Sequence, residues 1–313
     1  MGDAGVVLPW HASSIIWNPA ASSFIRQYEV SAEGADLYQT LAQQGCFAGS
    51  APLKKNLSTA VSYQPFYSGL LRQYDSIPDA AYFSGLTQHK PTGYFKNYHH
   101  TAHFSLSRIF SMKFPRLTST SLPKPLDIAI GTSLKMYLQT MDPGGRMHIG
   151  MGYNADLGII TRLGLDFDIR KNRVSRELYF GASLRDILPT EVIWAYSGNE
   201  HWLYSPEGYR EPYRFAQYYG IAFTDRSGDL FANWTFALSL HKEYEVSYHG
   251  GIEAQFWEKV FFRAGFSDKT PTLGAGVQFP RFYIDYAFRV EEIALSFARL
   301  TVGFTFPHAE GGR

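Results

Sequence analysis

Phe282-Tyr283-Ile284-Asp285-Tyr286-Ala287-Phe288-Arg289-Val290-Glu291, followed by Ala298-Arg299-Leu300-Thr301-Val302-Gly303-Phe304-Thr305-Phe306, is the stretch that decides the fold. In the first half, Phe282, Ile284, Tyr286, Phe288 and Val290 share one parity, and Tyr283, Asp285, Ala287, Arg289 and Glu291 share the other. In the second, Ala298, Leu300, Val302, Phe304 and Phe306 alternate with Arg299, Thr301, Gly303 and Thr305. A period of two belongs to a β-strand whose faces meet different surroundings. Rings on one face up to Phe306 suit a strand whose apolar side meets lipid, with Arg289 and Arg299 turned to a lumen.

Composition agrees with that reading. The chain has 313 residues with 16% aromatic and only 18% charged side chains, a balance expected where rings form girdles at two membrane interfaces. A net charge of +1 leaves no electrostatic footprint for nucleic acid. The single cysteine, Cys46, excludes an internal disulfide and a cysteine-rich metal site. No run approaches the ~18 apolar residues of a membrane helix, whereas a barrel strand needs only ~9–11 with every second one apolar. Met1-Gly2-Asp3-Ala4-Gly5 lacks a basic start and an apolar stretch, so an exported barrel is expected to have lost its signal peptide and to begin truncated.

Outward from the closing pair, the same alternation recurs. It is seen in Phe24–Ala35, Leu57–Gln64, His100–Phe110, Ile128–Leu138 and Met151–Ile159, then in Leu163–Ile169, Leu178–Ile187 and Glu191–Tyr196. Phe215–Phe223, Phe231–Leu240, Tyr244–Phe256, Val260–Phe266 and Leu273–Phe279 follow. Asp142-Pro143-Gly144-Gly145 reads as a hairpin turn and Leu122-Pro123-Lys124-Pro125 as a Pro-rich turn. Residues 66–95 and 197–213 read as long loops. At roughly 20 residues per strand and turn, Phe24–Phe306 holds about 14 strands, an even number. The expected fold is therefore all-β: a transmembrane antiparallel up-and-down barrel, with residues 1–23 as an N-terminal plug segment, 24–306 as the barrel and 307–313 as a tail. Trp17-Asn18-Pro19-Ala20 marks the plug, because Asn-Pro favours a turn and an aperiodic segment rich in Trp and Ile needs a lumen to stay ordered.

Chemistry is sparse. His99, His100 and His103 form His-His-x-x-His, but on a strand His100 points away from the other two, which favours interfacial histidines over a metal site. No Gly-x-Ser-x-Gly elbow and no zinc-protease motif occurs, so neither a catalytic residue nor a cofactor is expected. If the hairpin turns at Pro143-Gly144, Lys135 and Asp156 become near-diagonal lumen neighbours, a pair whose expected role is structural rather than ligand-binding.

Several ordered motifs carry a family resemblance: Trp17-Asn18-Pro19-Ala20; Gly131-Thr132-Ser133-Leu134-Lys135 with Ala155-Asp156-Leu157-Gly158; Phe180-Gly181-Ala182-Ser183-Leu184-Arg185-Asp186; and Phe262-Arg263-Ala264-Gly265-Phe266 with Gly274-Ala275-Gly276 and Asp285-Tyr286-Ala287-Phe288. On these the chain resembles the PorV/PorQ family of bacterial outer-membrane barrels, within the wider group similar to the fatty-acid transporter FadL. The resemblance implies a 14-stranded plugged barrel, accessory to type IX secretion through binding of the translocon or of cargo C-terminal domains. It also implies a lumen able to admit a hydrophobic small molecule, the basis of an alternative reading as a FadL-like channel. Membrane lipids are the expected surroundings in either case. Two departures stand out: the short Gly-poor start, and Pro307–Arg313 beyond the Phe that ends an assembly signal. A third class, a soluble all-β binding protein, is left open by alternation alone.

Overall fold

The structure, a computed structural model, describes residues 4–37, 42–54, 56–73, 93–113, 125–141, 147–169, 172–196, 210–226, 232–289 and 297–307. Its strands are β1 (Tyr28–Leu37), β2 (Ala42–Lys54), β3 (Leu57–Gln73), β4 (Gly93–Lys113), β5 (Pro125–Met141), β6 (His148–Ile169), β7 (Asn172–Arg185) and β8 (Glu191–Tyr196). The second half adds β9 (Arg210–Pro212), β10 (Ala216–Arg226), β11 (Ala232–Lys242), β12 (Val246–Phe256), β13 (Val260–Ser267), β14 (Thr270–Gln278), β15 (Phe282–Arg289) and β16 (Phe297–Phe306). Every pairing is antiparallel. From β1 to β7 and from β10 to β16 sequential neighbours pair, β16 returns to β1, and β7 pairs with β10; β8 and β9 extend from the edge of β6. All strands but β8 and β9 thus form one closed 14-stranded barrel, with β7 paired directly to β10.

Which face meets what is decided on β5. Leu134 and Met136 are 61% and 70% exposed, while Lys135 between them is 1% exposed. The same alternation places Phe104 and Leu106 of β4, Tyr153 of β6, Leu238 of β11 and Phe304 and Phe306 of β16 on the outside. A continuous apolar belt of this kind is unfavourable in water and favourable in lipid, so the barrel spans a membrane and the soluble reading fails.

Sequence and structure part at several places. Periodicity passes over β2, whose Gly45, Ala48, Gly49 and Ala51 give too little contrast between faces. The stretch read as a loop over 66–95 contains the end of β3 and the start of β4, and residues 74–92 lie outside the described residues. Met151–Ile159 and Leu163–Ile169 belong to one 22-residue strand. Phe24 belongs to the plug rather than to β1. The Asp142–Gly145 turn, residues 122–124, residues 197–209 and residues 308–313 of the tail also fall outside the described residues.

Candidate functional site

The chain before β1 makes three 3-10 turns, Gly5–Val7, Ala12–Ile16 and Pro19–Phe24, all within the barrel lumen. Asn18 caps the third in extended backbone and Pro19 occupies its first position, where a missing N–H costs nothing. Asn18 is fully buried and uses its whole side chain. Its Oδ1 accepts from Ala20 N at 3.0 Å, and its Nδ2 donates to Val6 O at 2.9 Å and to Ile159 O and Ala182 O at 3.2 Å. The last two carbonyls belong to the barrel wall, on β6 and β7. Trp17 stands beside Tyr218 and His241, with ring centroids 6.4 and 5.7 Å away.

The wall is notched to receive this segment. Gly131 on β5 lies opposite Gly158 on β6, and Gly181 on β7 lies opposite Gly220 on β10. A Cβ at Gly131 would stand 2.5 Å from the Pro19 carbonyl, one at Gly181 would stand 2.7 Å from Val6 O, and one at Gly158 would strike Asn18 Oδ1. Only glycine allows the plug backbone so close to the strands. On β4 the notch continues in serines: Ser105 Oγ donates to Pro19 O at 3.2 Å, and Ser107 Oγ meets Ser22 Oγ at 2.7 Å.

Beyond the plug, towards the β5–β6 connection, lies a buried knot of charge. Lys135 Nζ sits 2.8 Å from Asp156 Oδ1 and 2.6 Å from Asp186 Oδ1, as charge contacts without hydrogen-bond alignment. Tyr137 OH donates to Asp186 at 2.7 Å and Ser133 Oγ to Asp156 at 3.2 Å. Of this group sequence reasoning names Lys135 and Asp156 but misses Asp186, Tyr137 and Ser133. Lys135 faces Asn154 directly, and Asp156 is its diagonal neighbour.

Asp186 is also where the wall breaks. Its φ is 55°, a left-handed conformation, and β7 stops at Arg185 rather than at Ile187. Asp186 N donates to the Asp156 side chain at 2.9 Å, Ile187 N to Ala155 O at 3.0 Å and Leu188 N to Asn154 Oδ1 at 2.9 Å. Asn154 Nδ2 returns bonds to Leu188 O and Thr190 Oγ1 at 3.2 and 3.1 Å. The ladder resumes with β8, where Ile193 faces Met151. Between Arg185 and Glu191, side chains of Asn154 and Asp156 do much of what backbone ladders do elsewhere. Pro189, which has no N–H to give a ladder, is the sequence signal for this break.

The remaining candidates separate. His99 stacks on Tyr137 at 6.0 Å and His103 is buried opposite Lys135, both inward, whereas His100 lies outside with its Nδ1 2.7 Å from Tyr63 OH. Sequence reasoning also misses an inner ladder of rings in which Tyr218 stacks on His241 at 4.2 Å and His241 on His249 at 4.0 Å.

No family model matches the sequence, and neither does any curated protein. Among solved structures the chain is similar to a Pseudomonas aeruginosa FadL homologue, with 12% identity, coverage of 97% of this chain and 96% of that one, and a TM-score of 0.48. It is similar to the Ralstonia pickettii toluene transporter TbuX at 11% identity, coverage of 97% and 95%, and a TM-score of 0.43. The translocator domain of the autotransporter NalP from Neisseria meningitidis matches at 11% identity, coverage of 90% and 87%, and a TM-score of 0.38. Transport channels and an autotransporter appear together, so the likeness singles out no activity; the fold rests on the barrel's own ladders.

Proposed function

We propose that this protein is a non-enzymatic outer-membrane barrel that lets a hydrophobic small molecule across, with the N-terminal segment as its gate. The observation that supports the reading is the coincidence of a seated plug and a wall break. The plug occupies the lumen, and next to its seat the β6–β7 wall gives up backbone ladder for a few side-chain bonds. Such a wall parts at lower cost than a continuous ladder, whose loss would leave backbone groups bare in lipid. Outside the break stand Met136, Met151, Tyr153 and Ile193, all exposed and apolar or aromatic, so a solute leaving sideways would meet lipid at once. The two longest connections, between β3 and β4 and between β8 and β9, join strand ends away from the chain termini, the end that faces outward in barrels of this class.

A cross-link over the break tests this. With Ala155 and Ile187 both changed to cysteine, uptake of toluene or a long-chain fatty acid by expressing cells should fall when the pair is oxidised and recover on reduction. Uptake no greater than in cells without the barrel, whatever the redox state, overturns the reading. Cys46 is buried on β2 and stays out of the chemistry.

The second reading, an accessory of type IX secretion binding translocon or cargo C-terminal domains, draws on one observation. The lumen around the plug is laced with ion pairs, as suits a barrel that works from its rims. The motifs behind that resemblance, however, sit in the plug and in barrel strands, several of them at the plug seat and the knot, which reports architecture more than partners. Co-purification of cargo C-terminal domains with the barrel, in the absence of solute uptake, would favour it.

A further inference from the structure

We propose that the lumen also holds, at the end carrying the chain termini, a binding site for a neutral, polyhydroxylated small molecule of monosaccharide size. A cavity of about 290 Å³ lies there, between the plug residues Trp10, His11 and Phe24 and the inner faces of β6, β7 and β10–β15. It is at the small end of ligand pockets, which run from ~300 Å³. Its position follows from its walls: Asn233, Gln255 and Gln278 each lie within a few residues of a turn at the end where β1 begins and β16 finishes.

The walls select by charge. Arg263 Nε donates to Glu253 at 2.5 Å and Nη1 bonds Asp285, while Arg162 is held by Asp127 and lies 3.6 Å from Glu177. Each of these charged side chains already has a partner of opposite sign, so an ionic ligand would have to break a pair before it gained one. The walls also select by polarity. Asn233 Nδ2 donates to Gln255 Oε1 at 3.1 Å, which uses one end of each amide and leaves Asn233 Oδ1 and Gln255 Nε2 for a ligand among the described residues. Thr224 and Thr235 add hydroxyls, paired with each other at 3.2 Å. A hydrocarbon would strip water from these groups and return nothing. Trp10, Tyr179, Phe261 and Tyr283 complete the lining with aromatic carbon suited to C–H contact. Aromatic carbon, amides, hydroxyls and charge-paired guanidinium and carboxylate groups together match a compact polyol, which offers an apolar C–H face and a rim of hydroxyls. The site is separate from the wall break and does not depend on the conduit reading.

Calorimetry on the purified barrel, in an amine-oxide detergent free of sugar headgroups, tests it with D-glucose, D-galactose, N-acetyl-D-glucosamine and myo-inositol, and with toluene and acetate as contrasts. At least one polyol should bind saturably with Kd at or below about 1 mM, and Gln255→Leu should weaken it tenfold or more. Asn233→Ser reads the same contact should Gln255→Leu fail to fold, and Gln139→Leu, at the other end of the lumen, should leave binding unchanged. No polyol binding to the folded wild type, binding indifferent to both cavity variants, or preferred binding of toluene or acetate in a Gln255-dependent manner would each overturn the proposal.

Discussion

The two arcs of the barrel wall are built differently. From β3 to β7 the strands run 14 to 22 residues, whereas from β10 round to β1 they run 8 to 11. Crossing a bilayer takes ~9–11 tilted residues, so the short arc is little more than a span. The long arc has length to spare, and it carries most of the glycine seat, the Lys135 knot and the wall break. Length and the plug seat go together: the long strands are where the wall is notched and broken.

The contrast is broken most severely at the seat. Gly158→Leu drives a side chain into Asn18 and should expel the plug, exposing Val6, Val7 and Ile15 at a cost of about 5 kcal/mol or more. Limited proteolysis of residues 4–27 in the folded barrel checks it, and a plug as resistant as in the wild type would show that the notch is not a seat. Lys135→Met comes next, leaving Asp156 and Asp186 facing each other in a buried site. It should destabilise by ~3–5 kcal/mol, read as a lowered melting temperature of the barrel, without abolishing the protein's activity. Arg263→Met does the corresponding thing on the short arc, where the cluster is partly open to solvent, and should cost ~1–2 kcal/mol. If Arg263→Met proves the more damaging of the two, the contrast between a tightly buried knot on the long arc and a looser cluster on the short one fails. The smallest effect belongs to Phe306→Asp, a carboxylate at the exposed end of β16. It should cost up to ~1 kcal/mol and slow assembly measured by heat-modifiable mobility, while removal of residues 307–313 leaves assembly intact.

The short arc was the legible one. Phe282–Phe306 alternates cleanly because each residue answers to one of two simple environments, lipid or lumen, and β10–β14 are found for the same reason. The long arc obscures its own pattern. Gly131, Gly158 and Gly181 face inward with no side chain to register polarity, because the plug backbone takes that space. The glycines of β2 dilute its alternation on the outer face, where they stand beside the exposed Phe47. Lys135 and Asp156 were legible as a pair since a charge in a lumen needs a partner, and a hairpin fixes which residues are diagonal neighbours. Asp186 was not, because it reaches the knot only through a break in β7 whose geometry no strand period describes. The cavity at the end carrying the chain termini was invisible for a further reason: its walls come from many strands and the plug, and only closure brings them together.

Closure itself is recorded by one side chain. Glu29 of β1 accepts from Tyr283 OH at 2.8 Å and from Ala12 N of the plug at 2.8 Å. Tyr283 belongs to β15, so this bond reaches across β16, which lies between its two neighbours β15 and β1. The same carboxylate then anchors the middle of the plug. A barrel with that seam open would lack the Tyr283 bond to Glu29, so the carboxylate that ties down the stopper is fully held only when the wall around it is complete.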